Sequence, residues 1–100
     1  MDMEERYRLI ISTILNAIGC QVEVEHMLST GRIDIVASTS RFIYVMELKL
    51  SNNGGLEAAE KQIISNGYLK PFLADGRKVI GLAVELDDMG KGLIDWKEVK

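Results

Sequence analysis

The sequence predicts an α/β fold, a mixed central sheet flanked by helices, in the order helix, three strands, helix, strand. Three observations predict it. Apolar residues recur at helical spacing in two stretches, Asp2–Ile18 and Leu56 to about Leu69. Between them, Gln21–Ser29 alternates with the period of a strand, and Arg32–Leu50 reads as two strands with a polar connection. After the second helix, Lys78–Leu86 (KVIGLAVEL) is nearly all apolar, as a strand covered on both faces requires. Reaching it through a helix implies a crossover within a mixed sheet.

In the first helix the expected apolar stripe is Tyr7, Ile10, Ile11, Ile14, Leu15 and Ile18. Asp2, Glu4 and Glu5 in the first turn complement the helix dipole, and Gly19 is a natural stop. The first strand places Val22, Val24, His26 and Leu28 on one side and Gln21, Glu23, Glu25 and Met27 on the other, with the glutamates in solvent. Thr30-Gly31 turns the chain into the second strand, Arg32–Ala37, with Ile33, Ile35 and Ala37 on one face. Ser38–Arg41 is short and polar, so Arg32–Ala37 and Phe42–Leu50 form an antiparallel hairpin.

Ser51–Gly55 is a loop by composition. The second helix buries Leu56, Ala59, Ile63, Ile64 and Tyr68, with Gln62 beside that stripe. Pro71 ends the helical region, and Ala74–Arg77 and Asp87–Gly92 are turns. Ile94 and Trp96 anchor a short final segment, with Trp96 read as packing.

The third strand carries the anomaly. Phe42, Tyr44, Met46, Leu48 and Leu50 form an apolar face, but the other face begins with Ile43 and Val45 and then turns to Glu47 and Lys49. Charges there must be paired or functional. Pairing Ala37 with Phe42 sets Asp34 opposite Val45 and diagonal to Glu47, roughly 7 Å away at Cα. Two carboxylates at that separation can hold one divalent cation. Any even-length loop preserves the parity.

A chain of 100 residues makes one domain, whether free-standing or excised from a larger protein. One cysteine excludes an intrachain disulfide and suits a reducing cytoplasm. A Cys20–His26 nucleophile lacks the supporting third group such chemistry needs, and no zinc-ligand spacing appears. No segment approaches the roughly 20 apolar residues of a membrane span. The net charge of −3 argues against a tight free-standing DNA binder, while leaving room for a domain that works beside a DNA-holding partner.

Asp34 on the second strand, followed by Glu47-Leu48-Lys49 on the third, in this order of elements, resembles the PD-(D/E)XK nuclease superfamily over essentially the whole chain. GRIDIV (Gly31–Val36), ELK, Gln62-Ile63, Gly67-Tyr68 and ADGRKVI (Ala74–Ile80) are similar to the C-terminal domains of predicted bacterial AAA-type ATPases. The resemblance implies a restriction-endonuclease-like αβββαβ core and Mg²⁺- or Mn²⁺-dependent hydrolysis of DNA phosphodiesters. It implies Asp34 and Glu47 as metal ligands, Lys49 as the residue that positions water and steadies phosphate charge, and Gln62 as a residue near the site. Ile33 stands where the nominal motif has proline, and either Glu4 or Glu5 would be the additional acid. The alternative implied is a catalytically silent binding or assembly module on the same fold. The expected partners are DNA, held weakly by this domain alone, and an ATPase domain or parent protein. Neither a membrane nor a required second copy is implied, and a homodimer is compatible.

Overall fold

A computed structural model describes residues 1–100. Its first helix is set by a capping box: Glu5 N–H donates to Asp2 Oδ1 at 2.8 Å and Asp2 N–H to Glu5 Oε2 at 3.2 Å. Asp2 is therefore the cap, and α1 runs Met3–Ala17. Gly19, at φ +104°, turns the chain out of the helix. The strands that follow are β1 (Gln21–Leu28), β2 (Gly31–Ser38) and β3 (Phe42–Leu50). Helix α2 (Gly55–Ser65), β4 (Lys78–Leu86) and β5 (Leu93–Val99) complete the domain, with short 3₁₀ turns at Ser51–Asn53 and Lys70–Asp75. The five strands lie in sequence order; β3 and β4 are parallel across α2, and every other neighbouring pair is antiparallel. The mixed α/β architecture is the one the sequence predicts, with β5 as a full added strand rather than a short packed segment.

One helix covers each face. Helix α1 packs on β1, β2 and β3, while α2 packs on β3, β4 and β5. Ala59 and Ile63 of α2 pack with Tyr68 on Ile33, Val36, Ile43 and Val45; Tyr7 of α1 packs with Ile35, Ala37, Leu48, Val84 and Leu86. Because α1 covers only one side of its face, the expected stripe is half realised. Tyr7 is buried, but Ile10, Ile14 and Ile18 are more than half exposed.

Helix α2 is also shorter than its spacing suggests. It stops at Ser65, and Tyr68 reaches the core from the turn beyond. Ile63 is 1% exposed but its neighbour Ile64 is 58% exposed, so Ile64 does not belong to the buried stripe. The helix start borrows its cap from β4. Gly54 offers no side chain, and Glu85 Oε1 accepts the Leu56 N–H at 3.0 Å while Oε2 accepts the Ser51 hydroxyl at 2.6 Å. Those two bonds hold Glu85 below the usual carboxylate range, the hydroxyl contributing most. Gly55 sits in the left-handed region at φ +56°, and a Cβ there would also crowd Glu85 Oε1 at 2.5 Å, so glycine is favoured there.

The β2–β3 register differs from the expected one by two residues. Val36 faces Val45 and Ala37 faces Tyr44. The cause is Thr39: its hydroxyl accepts the N–H groups of Arg41 and Phe42, and its own N–H donates to the Phe42 carbonyl at 2.9 Å. The chain therefore reverses within Ser40-Arg41 instead of across Ser38–Arg41. Shifting by two keeps the parity, so the carboxylates still meet. The faces change too: Ile33 packs under α2, whereas Ile35 and Ala37 pack under α1. Alternation along β2 is thus broken at Asp34.

These burial patterns predict the effect of two adjacent substitutions. Ile63→Ala should destabilise the domain by roughly 2–5 kcal/mol through its cavity, whereas Ile64→Ala should stay within about 0.5 kcal/mol of the parent. Denaturant unfolding of both variants checks this, and equal losses would contradict the assigned helix face.

Candidate functional site

The regular β2–β3 pairing ends at Ile35 opposite Met46. One step further, Asp34 comes across from Glu47, not diagonal to it as expected, and the side chains take over the ladder. Asp34 Oδ2 accepts the Leu48 N–H at 2.8 Å, and Glu47 Oε1 accepts the Asp34 N–H at 3.4 Å. Each acid thus satisfies backbone on the opposite strand, which brings the two carboxylates together in the gap.

The gap opens into a pocket of about 250 Å³ whose lining includes Asp34, Glu47, Lys49 and Gln62, all four residues singled out in the sequence. Glu4 and Arg8 enter from α1. Glu4 is the acid that faces the pocket, because Glu5 is engaged in the capping box. Glu4 Oε1 is buried and has no hydrogen-bond partner. Such an oxygen is costly to leave alone and marks where a cation or water belongs.

Arg8 was not anticipated, although a spacing of four places it on the same helix face as Glu4. Its guanidinium pairs with Glu25 at 2.5 Å and approaches Asp34 Oδ1 at 3.7 Å. Glu25, expected in solvent, also meets Arg32 at 3.6 Å and holds a left-handed backbone, φ +53°. That conformation is unfavourable for a side-chain-bearing residue and lies beside the pocket.

On the α2 side, the Tyr68 hydroxyl is a hub. It accepts from Gln62 Nε2 and Asn66 Nδ2 and donates to the Arg32 carbonyl, each at 3.2 Å. The hub explains Gly31. A Cβ there would lie 2.5 Å from the Tyr68 hydroxyl and 3.1 Å from Asn66 Nδ2. Gln62 is therefore held at the pocket wall instead of ranging through solvent.

Lys49 takes part in none of the ion pairs of the chain. Its register neighbour on β4 is Glu85, but that carboxylate is turned to Ser51 and α2. The Lys49 ammonium is left to the pocket. Glu47, 2% exposed, is pushed up to about 8, by burial first and by the Asp34 charge and hydrogen bonding second. Lys49 pulls the other way but does not cancel these effects.

Do these residues fit a divalent metal? No group of three or more His, Cys, Asp or Glu side chains is arranged to hold one by itself. Mg²⁺ does not require such a cage: it takes one or two carboxylates and completes its shell with water and phosphate oxygens. Two adjacent carboxylates, one of them resisting ionisation, form an all-oxygen donor pair of that kind, with the orphaned Glu4 oxygen on the same pocket wall. The donor set fits.

A larger groove of about 510 Å³ lies between α1 and β5 and is lined mainly by apolar side chains, without Asp34, Glu47, Lys49 or Gln62. No helix is long and apolar enough to cross a membrane.

The family model for the PD-(D/E)XK nuclease superfamily matches residues 2–96. No curated protein matches the chain.

The Glu47 shift predicts a pH dependence with a definite sign. The folded state holds this proton to higher pH than the unfolded chain, so the contribution is complete below the ordinary carboxylate range. It is lost as pH rises from 4.5 towards about 8. Without divalent metal, the parent should lose stability over that window relative to Glu47→Gln, which keeps the shape and removes the titration. Parallel pH profiles from denaturant unfolding would refute the shift.

Proposed function

The chain belongs to the PD-(D/E)XK nuclease superfamily, and we propose that it hydrolyses DNA phosphodiesters with Mg²⁺ or Mn²⁺ at the pocket between β2 and β3. The observation that carries this reading is the meeting of Asp34 and Glu47 in a pocket where Lys49 forms no ion pair. Superfamily nucleases generally use divalent metals. Asp34 and Glu47 would hold the ion, with Glu4 contributing its unpartnered oxygen through water. A bound divalent ion supplies Lewis-acid polarisation of the phosphodiester and lowers the pKa of a coordinated water.

The remaining tasks fall to the chain. Glu47 gives up its proton when the cation binds, because two neighbouring carboxylates ionise together only when a positive charge joins them. Lys49 orients the attacking water and balances charge that builds on the phosphate oxygens. Gln62, fixed through Tyr68, offers an amide that donates and accepts at the pocket wall. Asp34 stays aligned because one of its oxygens is tied to the Leu48 N–H.

The acidic balance of the chain supports weak DNA affinity for this domain alone, with an ATPase-linked parent protein supplying grip. Cys20, free and without a partner cysteine, suits a reducing cytoplasm.

A second reading, a silent binding or assembly module on this fold, is favoured by one observation. Arg8 already places a guanidinium 3.7 Å from Asp34, where an organic cation could stand in for a metal.

Calorimetry separates the two readings. At neutral pH the nuclease reading requires Mn²⁺ or Mg²⁺ binding accompanied by proton release, seen as a binding enthalpy that depends on the buffer. Glu47→Gln should abolish that release. No uptake at millimolar metal would establish the silent module instead. Cleavage of single- and double-stranded DNA should require the metal and fall roughly a hundredfold or more in Lys49→Ala. Unchanged cleavage in that variant would remove Lys49 from the mechanism.

A further inference from the structure

The two edges of the sheet, β1 and β5, are built differently. On β1, Glu23 and Glu25 crowd the edge with carboxylates, and Glu25 at φ +53° breaks the extended run. Both are devices that discourage edge pairing. Strand β5 also carries charges, Asp95, Lys97 and Glu98, and an irregularity where its pairing with β4 shifts between Glu85 and Leu86, but its charges are of both signs and no residue in it has a positive φ. It is seven residues long, every residue but Val99 is exposed, and Leu93, Ile94 and Trp96 are more than half exposed. An extended, partly apolar edge of this kind accepts another strand.

We propose that β5 pairs antiparallel with β5 of a second copy of this chain, about a two-fold axis at Trp96, joining the two sheets into one. The sequence of the strand selects this occupant. With the axis at Trp96, Asp95 faces the partner's Lys97 and Lys97 faces the partner's Asp95, so both flanking pairs are opposite in charge. Moving the axis one residue either way would oppose Asp95 to itself or Lys97 to itself, and like charges directly opposite are unfavourable. The edge is thus self-complementary in one register.

Neighbouring contacts agree with that register. The Trp96 N–H is taken by Asp95 Oδ1 of its own chain at 2.8 Å. Pairing transfers this N–H to the partner's Trp96 carbonyl and releases Asp95 for the partner's Lys97. Lys97 already contacts Glu60 of α2 at 2.8 Å, so the new contact extends an existing ion pair. On the opposite face Trp96 lies across from Val84 and lines the apolar groove with Tyr7, Ile10, Leu82 and Leu93. A two-fold at Trp96 brings the two indoles together, and directly opposed aromatic residues on neighbouring strands stabilise pairing. The same step covers the outer wall of the groove. The inference does not rest on the nuclease reading.

Sedimentation equilibrium of the chain over a concentration series tests it. A monomer–dimer equilibrium is expected. Asp95→Lys should raise the dissociation constant roughly tenfold or more by turning two attractive pairs into repulsive ones, and adding Lys97→Asp should restore the dimer. Far-UV circular dichroism checks that each variant folds; if Asp95→Lys does not, Lys97→Glu takes its place and must also dissociate the dimer. A monomer at every concentration, a dimer indifferent to charge reversal, or a charge swap that fails to restore pairing would each overturn the proposal.

Discussion

Asp34 and Glu47 hold β2 and β3 together where the backbone ladder has stopped. A buried N–H must find an acceptor, and past Ile35 and Met46 the two strands no longer supply one another. The Asp34 carboxylate meets the Leu48 N–H and the Glu47 carboxylate meets the Asp34 N–H. The acids are therefore structural members of the hairpin as well as the floor of the pocket. That double duty fixes their mutual distance, and it forces two carboxyl groups into one desolvated space. The upward shift of Glu47 is the direct consequence.

Everything around the gap either supports this crowding or relieves it. Arg8, anchored by Glu25, lies on one side, and Lys49, released by the turning of Glu85 towards α2, lies on the other. Tyr68 supports the α2 wall from the core, where its ring is fully buried and its hydroxyl joins Gln62, Asn66 and the Arg32 carbonyl. Gly31 is what allows that hydroxyl to come so near β2. The single-layer sheet with one helix per face lets α1 and α2 deliver side chains to the same gap from opposite sides.

Much of this was legible in the sequence, because period and parity survive errors of register. The helices followed from apolar spacing, the crossover from the apolar run of β4, and the meeting of Asp34, Glu47 and Lys49 from the parity of an antiparallel hairpin. The register itself was misread by two because Ser38–Arg41 looks like a polar loop, and only the Thr39 hydroxyl makes the reversal tighter. Exposure of Ile10, Ile14 and Ile18 was not readable, since spacing marks an apolar stripe but not how much sheet lies beneath it. The left-handed Glu25 leaves no sequence signal at all; such positions usually belong to glycine or asparagine. The choice between Glu4 and Glu5, by contrast, was available. Asp2 and Glu5 have the spacing of a capping box, which commits Glu5 and leaves Glu4 for the site.

The oxygens of the pocket allow the two functional readings to be weighed. Arg8 is held tightly by Glu25, at 2.5 Å, and only loosely by Asp34, at 3.7 Å. Asp34 therefore keeps Oδ1 nearly free while Oδ2 serves the backbone. Glu47 accepts one long backbone bond and otherwise faces Asp34; Glu4 has a buried oxygen with nothing to accept from. A module selected only for binding or assembly would gain stability by replacing these crowded acids with amides or apolar groups, because burying carboxyl groups beside one another is unfavourable. Three acids with spare acceptor capacity, next to a lysine that has no anion, are the pattern expected when a cation and a phosphate are the missing partners. The balance of physical argument therefore favours the nuclease reading, and it does so through the unpartnered Glu4 oxygen and a Lys49 that forms no ion pair.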